Sequence, residues 1–317
     1  MSNINGSAGP TGRGNIGNTT MNLPRLGILS NNDIDKFFEL LTNLLEECKN
    51  SLLYRKDVLS NLKVKDLPFI AGQELFLGSE GLKETDSILP ILEQGTYGMG
   101  FVGLAETLVA LLGVHHGQTL EARELGEKIN GFIREKADYY TTKYSLNFSA
   151  YASPAEEVSG KLCKSDIKKF GIIEGVNDKE FYTNGFHIPV DFPISIMNKI
   201  QIEAPYHKMC NGGHISYIEV DDYPTPKLVE KVVTKSFTET NIAYIGINFH
   251  IRYCKECGTL LHGESKCDCG STSIQGISRL TGYLGLDERF GETKSKERSL
   301  RINHNSDHAK VYNNVKK

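Results

Sequence analysis

The stretch IRYCKECGTLLHGESKCDCGSTSIQGISRLTGYLG, residues 251–285, decides how this chain is read. Four of its residues are cysteines: Cys254 and Cys257 in YCKECG, then Cys267 and Cys269 in CDCG. They fall within 16 residues, and each pair is followed at once by a glycine, Gly258 and Gly270. Thiolates brought together from two short knuckles suit tetrahedral zinc, with each sulfur about 2.3 Å from the metal. A glycine beneath each knuckle lets the backbone turn tightly under the ion. The pattern predicts a zinc ribbon over 243–275 with Cys254, Cys257, Cys267 and Cys269 as ligands. Structural zinc contributes roughly 10–16 kcal/mol to such a module, which is too small to fold on an apolar core alone. The second knuckle is C-x-C where C-x2-C is usual, which strains its geometry. His262, between the knuckles, is the alternative fourth ligand. Four sulfurs leave no open coordination position, so the expected role is structural.

The remaining composition narrows the class. The chain has 317 residues, 39% of them hydrophobic and 24% charged, enough for one large domain or two smaller ones. Seven cysteines, an odd number with four clustered, argue for metal over a secreted disulfide scaffold. The opening MSNINGSAGPTGRGN lacks the charged start and apolar stretch of a secretory signal. No apolar run reaches 18 residues, so no membrane partner is expected and a cytoplasmic location is the default. Zinc ribbons also serve nucleic-acid-binding modules, which makes such a module the rival reading. The net charge of −3 and an isoelectric point of about 6.3 give it no basic face. No nucleic-acid partner is expected.

Periodicity points to α/β packing. The first 20 residues, with five glycines, read as loop. Caps at Asn31, Asn32 and Asp33 and an apolar stripe from Ile34 to Leu52 predict a helix over 31–53, with Cys48 in the core. Helices are expected over 101–113, 119–142 and Pro226–Thr240. Strands are expected at Ser145–Ala150, His214–Val220 and Ala243–Phe249. Beyond 293, lysine and arginine interleave with glutamate and asparagine, which reads as a solvated surface segment. No phosphate-binding G-x4-GK[ST] loop is present.

SRLTGYLG, 278–285, is by itself an ordinary turn between apolar residues. Placed a few residues after the cysteine knuckles, it resembles the C-terminal glycyl-radical loop of the anaerobic (class III) ribonucleotide reductases. GRGN at 12–15 with NLPR at 22–25, YGMGFVGLAETL at 97–108, FGIIEGVNDKEFYTNGFHIPV at 170–190 and APYHKMCNGGHISYIEV at 204–220 resemble segments of that family in kind and order. The resemblance runs from about residue 12 to about 302.

What the resemblance implies is specific. The fold would be the C-terminal half of a ten-stranded α/β barrel over 1–242, followed by the ribbon and by a radical loop and tail over 276–317. Gly282 would carry the radical: its amide nitrogen and carbonyl delocalise the unpaired electron, and no side chain crowds the centre. A separate iron–sulfur activating enzyme using S-adenosylmethionine would remove one of its hydrogens. The stored radical would oxidise a cysteine to a thiyl, and the thiyl would begin reduction of a ribonucleoside triphosphate. A homodimer is the implied assembly. Asn15 of GRGN would face the substrate, as a hydrogen-bonding partner for a ribose hydroxyl or formate. Read without the resemblance, it is a turn residue.

The thiyl cysteine is where the chain departs from the family pattern. In the family it lies shortly before GRGN, in a Met-Gly-Cys-Arg context, and residues 1–11 hold no cysteine. The N-terminal half of the barrel is an expected partner, since its counterpart is not in this sequence. Cys210 and Cys163 are expected to be packing residues. Glu106 and His187, in matching motifs, are expected to be structural. Three arrangements stay open: a fragment of a longer frame, one half of a split reductase, or a spare radical subunit acting in trans.

Overall fold

A computed structural model describes residues 3–6, 8–9, 11–220, 223–261, 264–280 and 282–304. His262, Thr281 and the tail from 305 onward lie outside the described residues. Strand β1 (Asn15–Asn22) runs into helix α1 (Leu23–Ser30), whose start is set by the Asn22 side chain accepting from the Arg25 amide and by Pro24 in the first turn. Residues 15–20 are therefore strand where loop was expected. Helix α2 (Ile34–Leu59) is capped by Asp33 and buries Phe37, Leu41, Leu45, Cys48 and Leu52 as one stripe. The short α3 (Leu89–Gln94) leads to β2 (Thr96–Val102), which takes the first two residues expected to be helical over 101–113. The helix itself, α4, is Leu104–Leu112.

Helix α5 (Leu120–Tyr144), capped by Thr119, precedes β3 (Asn147–Ala152). Helices α6 (Glu156–Phe170) and α7 (Ile196–Met209) follow, then β4 (Ser216–Glu219), α8 (Pro226–Glu239) and β5 (Ile245–Asn248). Every strand so far pairs in parallel: β1 with β2, β2 with β3, and β4 with β5. Beyond β3, the segment just ahead of β4 adds on through the parallel bridge Tyr151–Gly213.

Helices cover one face of this parallel assembly. Tyr97, Met99 and Phe101 of β2 and Phe148 and Ala150 of β3 point into the main core beside the α2 stripe, Ile129 and Ile133. Gly98 and Gly100 lie on the opposite face. A Cβ on Gly98 would sit 2.2 Å from Asn18 Oδ1, and one on Gly100 would sit 2.3 Å from the Tyr151 ring. Glycine is needed there because neighbouring strands send side chains across it.

The last part is a separate antiparallel sheet in the order β7 (Leu260–Leu261), β6 (Ile251–Cys254), β8 (Ile274–Arg279), β9 (Leu284–Leu286). It starts after β5 and crosses residue 275. Helix α9 (Glu292–Leu300) closes the described chain, and here the expectation of a solvated segment fails. Lys294 and Glu297 are buried, and the Thr293 side chain sits where a Cβ on Gly160 of α6 would be. Charge went underground because it is paired: Lys294 Nζ and Arg301 Nε donate to the two Glu297 oxygens at 2.6 and 2.9 Å.

Candidate functional site

The four cysteines converge. Cys254 ends β6, and Cys257, Cys267 and Cys269 sit in turns flanking the sheet. All four sulfurs lie within 4.8 Å of one another. Cys254 Sγ is 3.6 Å from Cys269 Sγ, and Cys257 Sγ is 3.5 Å from Cys267 Sγ. A tetrahedron with zinc–sulfur bonds of about 2.3 Å has edges of about 3.8 Å, so the set fits the ion, and the C-x-C knuckle contributes both sulfurs. Gly258 and Gly270 hold φ of 74° and 90°, the left-handed turn that each knuckle requires. Hydrogen bonding with the Thr259 side chain, 3.2 Å away, and with its backbone lowers the Cys257 thiol to about 6. The amides of Cys257 and Glu256 hold Cys254 below its ordinary value. These contacts favour the thiolate at Cys254 and Cys257, whereas Cys267 is raised and Cys269 is pushed up to about 12 by hydrogen bonds with Cys267 and Cys254.

Gly282 shares the sheet with this cluster. Strand β8 pairs with β6 at Cys254–Ile274 and with β9 at Ile277–Leu286, and Gly282 lies in the turn between β8 and β9. The turn closes through the Leu280 amide donating to the Tyr283 carbonyl at 2.9 Å. Gly282 is exposed, and Tyr283 and Leu284 beside it are more than half exposed. A Cβ on Gly282 would meet no atom of the described residues within 4 Å, so packing does not demand glycine here.

The root of the hairpin is docked on β4. The Arg279 guanidinium lies 3.6 Å from the centre of the Tyr217 ring, and its Nη2 donates to Glu219 Oε1 at 2.9 Å. Ser216 and Ile218 face the other way, toward α7 and α8: Ser216 Oγ donates to Glu203 of α7 at 2.7 Å. The hairpin therefore rests on the face of β4 turned away from α7 and α8.

The same kind of face on β1–β3 carries Asn15. A register shift between Asn15 and Gly17 places Asn15 opposite Thr96, in step with Asn18 opposite Gly98 and Thr20 opposite Gly100. On β3, Asn147, Ser149 and Tyr151 continue the row. Asn15 is exposed at the start of the strand. Thr20 Oγ1 and Ser153 Oγ are 3.1 Å apart on this face. Sequence reasoning named Asn15 and missed Asn18, Thr20, Tyr151 and Ser153. The available signal was Gly98-x-Gly100, which clears a polar strip across the sheet.

The three other cysteines are buried core residues. Burial pushes Cys163 and Cys210 up to about 12 and also raises Cys48, so none is a ready thiolate. Cys210 Sγ is met by Asn130 Nδ2 at 3.4 Å. Glu106 Oε1 accepts from the Thr183 amide and hydroxyl at 3.0 and 2.6 Å, tying α4 to the 181–184 segment. His187 lies 3.5 Å from the buried Glu203, and burial keeps it neutral. No described helix is long and apolar enough to cross a membrane.

A parallel α/β domain with an appended four-cysteine sheet, one hairpin of which lies on the face of β4 turned away from α7 and α8, is the class these features define. The chain belongs to the anaerobic ribonucleoside-triphosphate reductase family, whose profile matches residues 2–304. It is 32% identical over 324 residues to the anaerobic ribonucleoside-triphosphate reductases of Salmonella typhimurium and Escherichia coli K12, covering 95% of this chain. The chain spans 44% of the length of each. In fold it is similar to a solved anaerobic ribonucleotide reductase, with a TM-score of 0.76 at 22% identity, over 93% of this chain and 46% of that one.

Proposed function

We propose that this chain is the radical-bearing C-terminal half of an anaerobic ribonucleoside-triphosphate reductase, with its radical stored on Gly282. The observation that carries the reading is the shared strand: β8 belongs both to the four-cysteine sheet and to the Gly282 hairpin. Zinc held by Cys254, Cys257, Cys267 and Cys269 supplies rigidity, not chemistry, because four sulfurs close its coordination. The sheet then fixes where the hairpin stands, and Arg279 pins the root to β4. Glycine at 282 is chemical in purpose, since no described neighbour limits its size.

The five parallel strands β1–β5 form half of the ten-stranded barrel, and Asn15 stands on the substrate-facing side. The thiyl cysteine comes from another polypeptide segment: of the seven cysteines here, four serve the metal site and three are buried core. An N-terminal barrel half completes the site, a radical S-adenosylmethionine enzyme activates Gly282, and a ribonucleoside triphosphate is the substrate of the assembled homodimer.

The test is anaerobic activation of the zinc-loaded chain, completed with the family's N-terminal half, by such an enzyme. The expected result is a doublet electron-spin signal from the one remaining α-hydrogen, followed in air by cleavage at Gly282. Gly282→Ala should show neither. Absence of signal and cleavage in the completed, zinc-loaded protein would overturn the assignment. Nucleotide reduction only with the N-terminal half marks a split reductase. Rescue of a full-length reductase that has lost its own glycine marks a spare subunit in trans.

A further inference from the structure

We propose that the chain binds an oxyanion, a phosphate or carboxylate group, at the carboxyl ends of β4 and β5 beside the root of the Gly282 hairpin, with Arg301 as its main ligand. The site stands whether or not Gly282 carries a radical. Glu219 and Asn248 are the last residues of β4 and β5, and they line a small pocket together with Arg279, Arg298 and Arg301. The carboxyl ends of parallel strands are where α/β sheets commonly take ligands. Among the described lining residues there are three guanidiniums and one carboxylate, Glu219.

Arg301 carries the second observation. Its side chain is 8% exposed, its Nε donates to Glu297 at 2.9 Å, and its Nη1 donates to the Arg279 carbonyl at 3.0 Å. Its Nη2 is buried and has no hydrogen-bond partner among the described residues. A buried donor left unmade is costly, and a guanidinium fork matches the spacing of phosphate and carboxylate oxygens.

The local electrostatics point the same way. Among the described residues, Lys294 and Arg301 share one carboxylate, Glu297. Buried charge is tolerated when it is paired, and an anion bound at Arg301 would add a second negative partner to this trio.

The experiment is titration calorimetry of the zinc-loaded full chain at low salt with inorganic phosphate, and separately with acetate. Saturable one-site binding is expected for at least one anion, and the tighter one names the group recognised. Arg301→Gln should weaken that binding at least tenfold, while Arg134→Gln, on the surface of α5, should leave it unchanged. Should Arg301→Gln not fold, arginine side-chain ¹⁵N spectra of the wild type must show a protected guanidinium signal that moves on titration. The inference is overturned if the wild type binds neither anion saturably, if a folded Arg301→Gln binds as tightly, or if no guanidinium signal moves.

Discussion

Replacing Glu297 by Gln should cost far more than a change in a charged tail would. Its carboxylate is 8% exposed and holds Lys294 at 2.6 Å and Arg301 at 2.9 Å. Burial alone would push the carboxyl up, but Lys294 and Arg301 outweigh it and bring it from 4.5 down to about 2. At ~1.4 kcal/mol for each tenfold in proton affinity, that is about 3 kcal/mol of pairing. Glutamine also strands two buried cations, and breaking a buried pair costs about 3–5 kcal/mol. The depressed value fixes the pH sense. An unfolded glutamate binds its proton more readily than the folded one, so the contribution is fully present above about 4.5 and is lost as pH falls toward 2. The assay is urea denaturation of wild type and Glu297→Gln from pH 7 to pH 3, with amide exchange over 292–300 to detect α9 opening by itself. We expect a gap of about 3 kcal/mol at pH 7, or an equivalent rise in α9 exchange, narrowing as the pH drops. A gap below about 1 kcal/mol at pH 7 with unchanged exchange would refute the view that this pairing seats α9.

Four further outcomes are expected. Cys254→Ser should lose most bound zinc by atomic emission and loosen β6–β8 in hydrogen exchange; normal zinc content with normal radical yield at Gly282 would count against the ribbon's role. Gly282→Ala should leave thermal stability within about 0.5 kcal/mol, as its Cβ meets none of the described atoms, so a large drop in melting temperature would show that glycine there is structural. Gly100→Ala should destabilise by about 1–3 kcal/mol through overpacking against Tyr151 and Ser153, and a neutral result in chemical denaturation would contradict the crowding described. Expressed alone, the chain should associate through strand edges and apolar surface that an N-terminal half would cover; a monodisperse, cooperatively melting monomer by light scattering and calorimetry would disprove this.

Local chemistry alone determined much of the molecule. The knuckle cysteines and their glycines announce the four-cysteine cluster because ligand type and turn geometry are written in adjacent residues. Helices α2, α5 and α8 were legible because each carries its own cap and an apolar stripe. The nature of β2 was settled by tertiary structure, since Gly98 and Gly100 weaken any strand signal until Asn18 and Tyr151 are seen to fill the space above them. Helix α7 escaped for the opposite reason: Lys199, Glu203 and His207 are buried among its apolar residues and blur the period, and Glu203 is tolerated there because Lys199 pairs with it and the Ser216 hydroxyl and Ile188 amide donate to it. Helix α9 is the same lesson at the chain's end. Lys294, Glu297 and Arg301 look like solvated charge in one dimension. Their pairing is local, at i,i+3 and i,i+4 spacings that the sequence does show. Their burial is tertiary, because α9 packs through Thr293 against Gly160 of α6, and helical spacing carries no record of which face a distant element will cover.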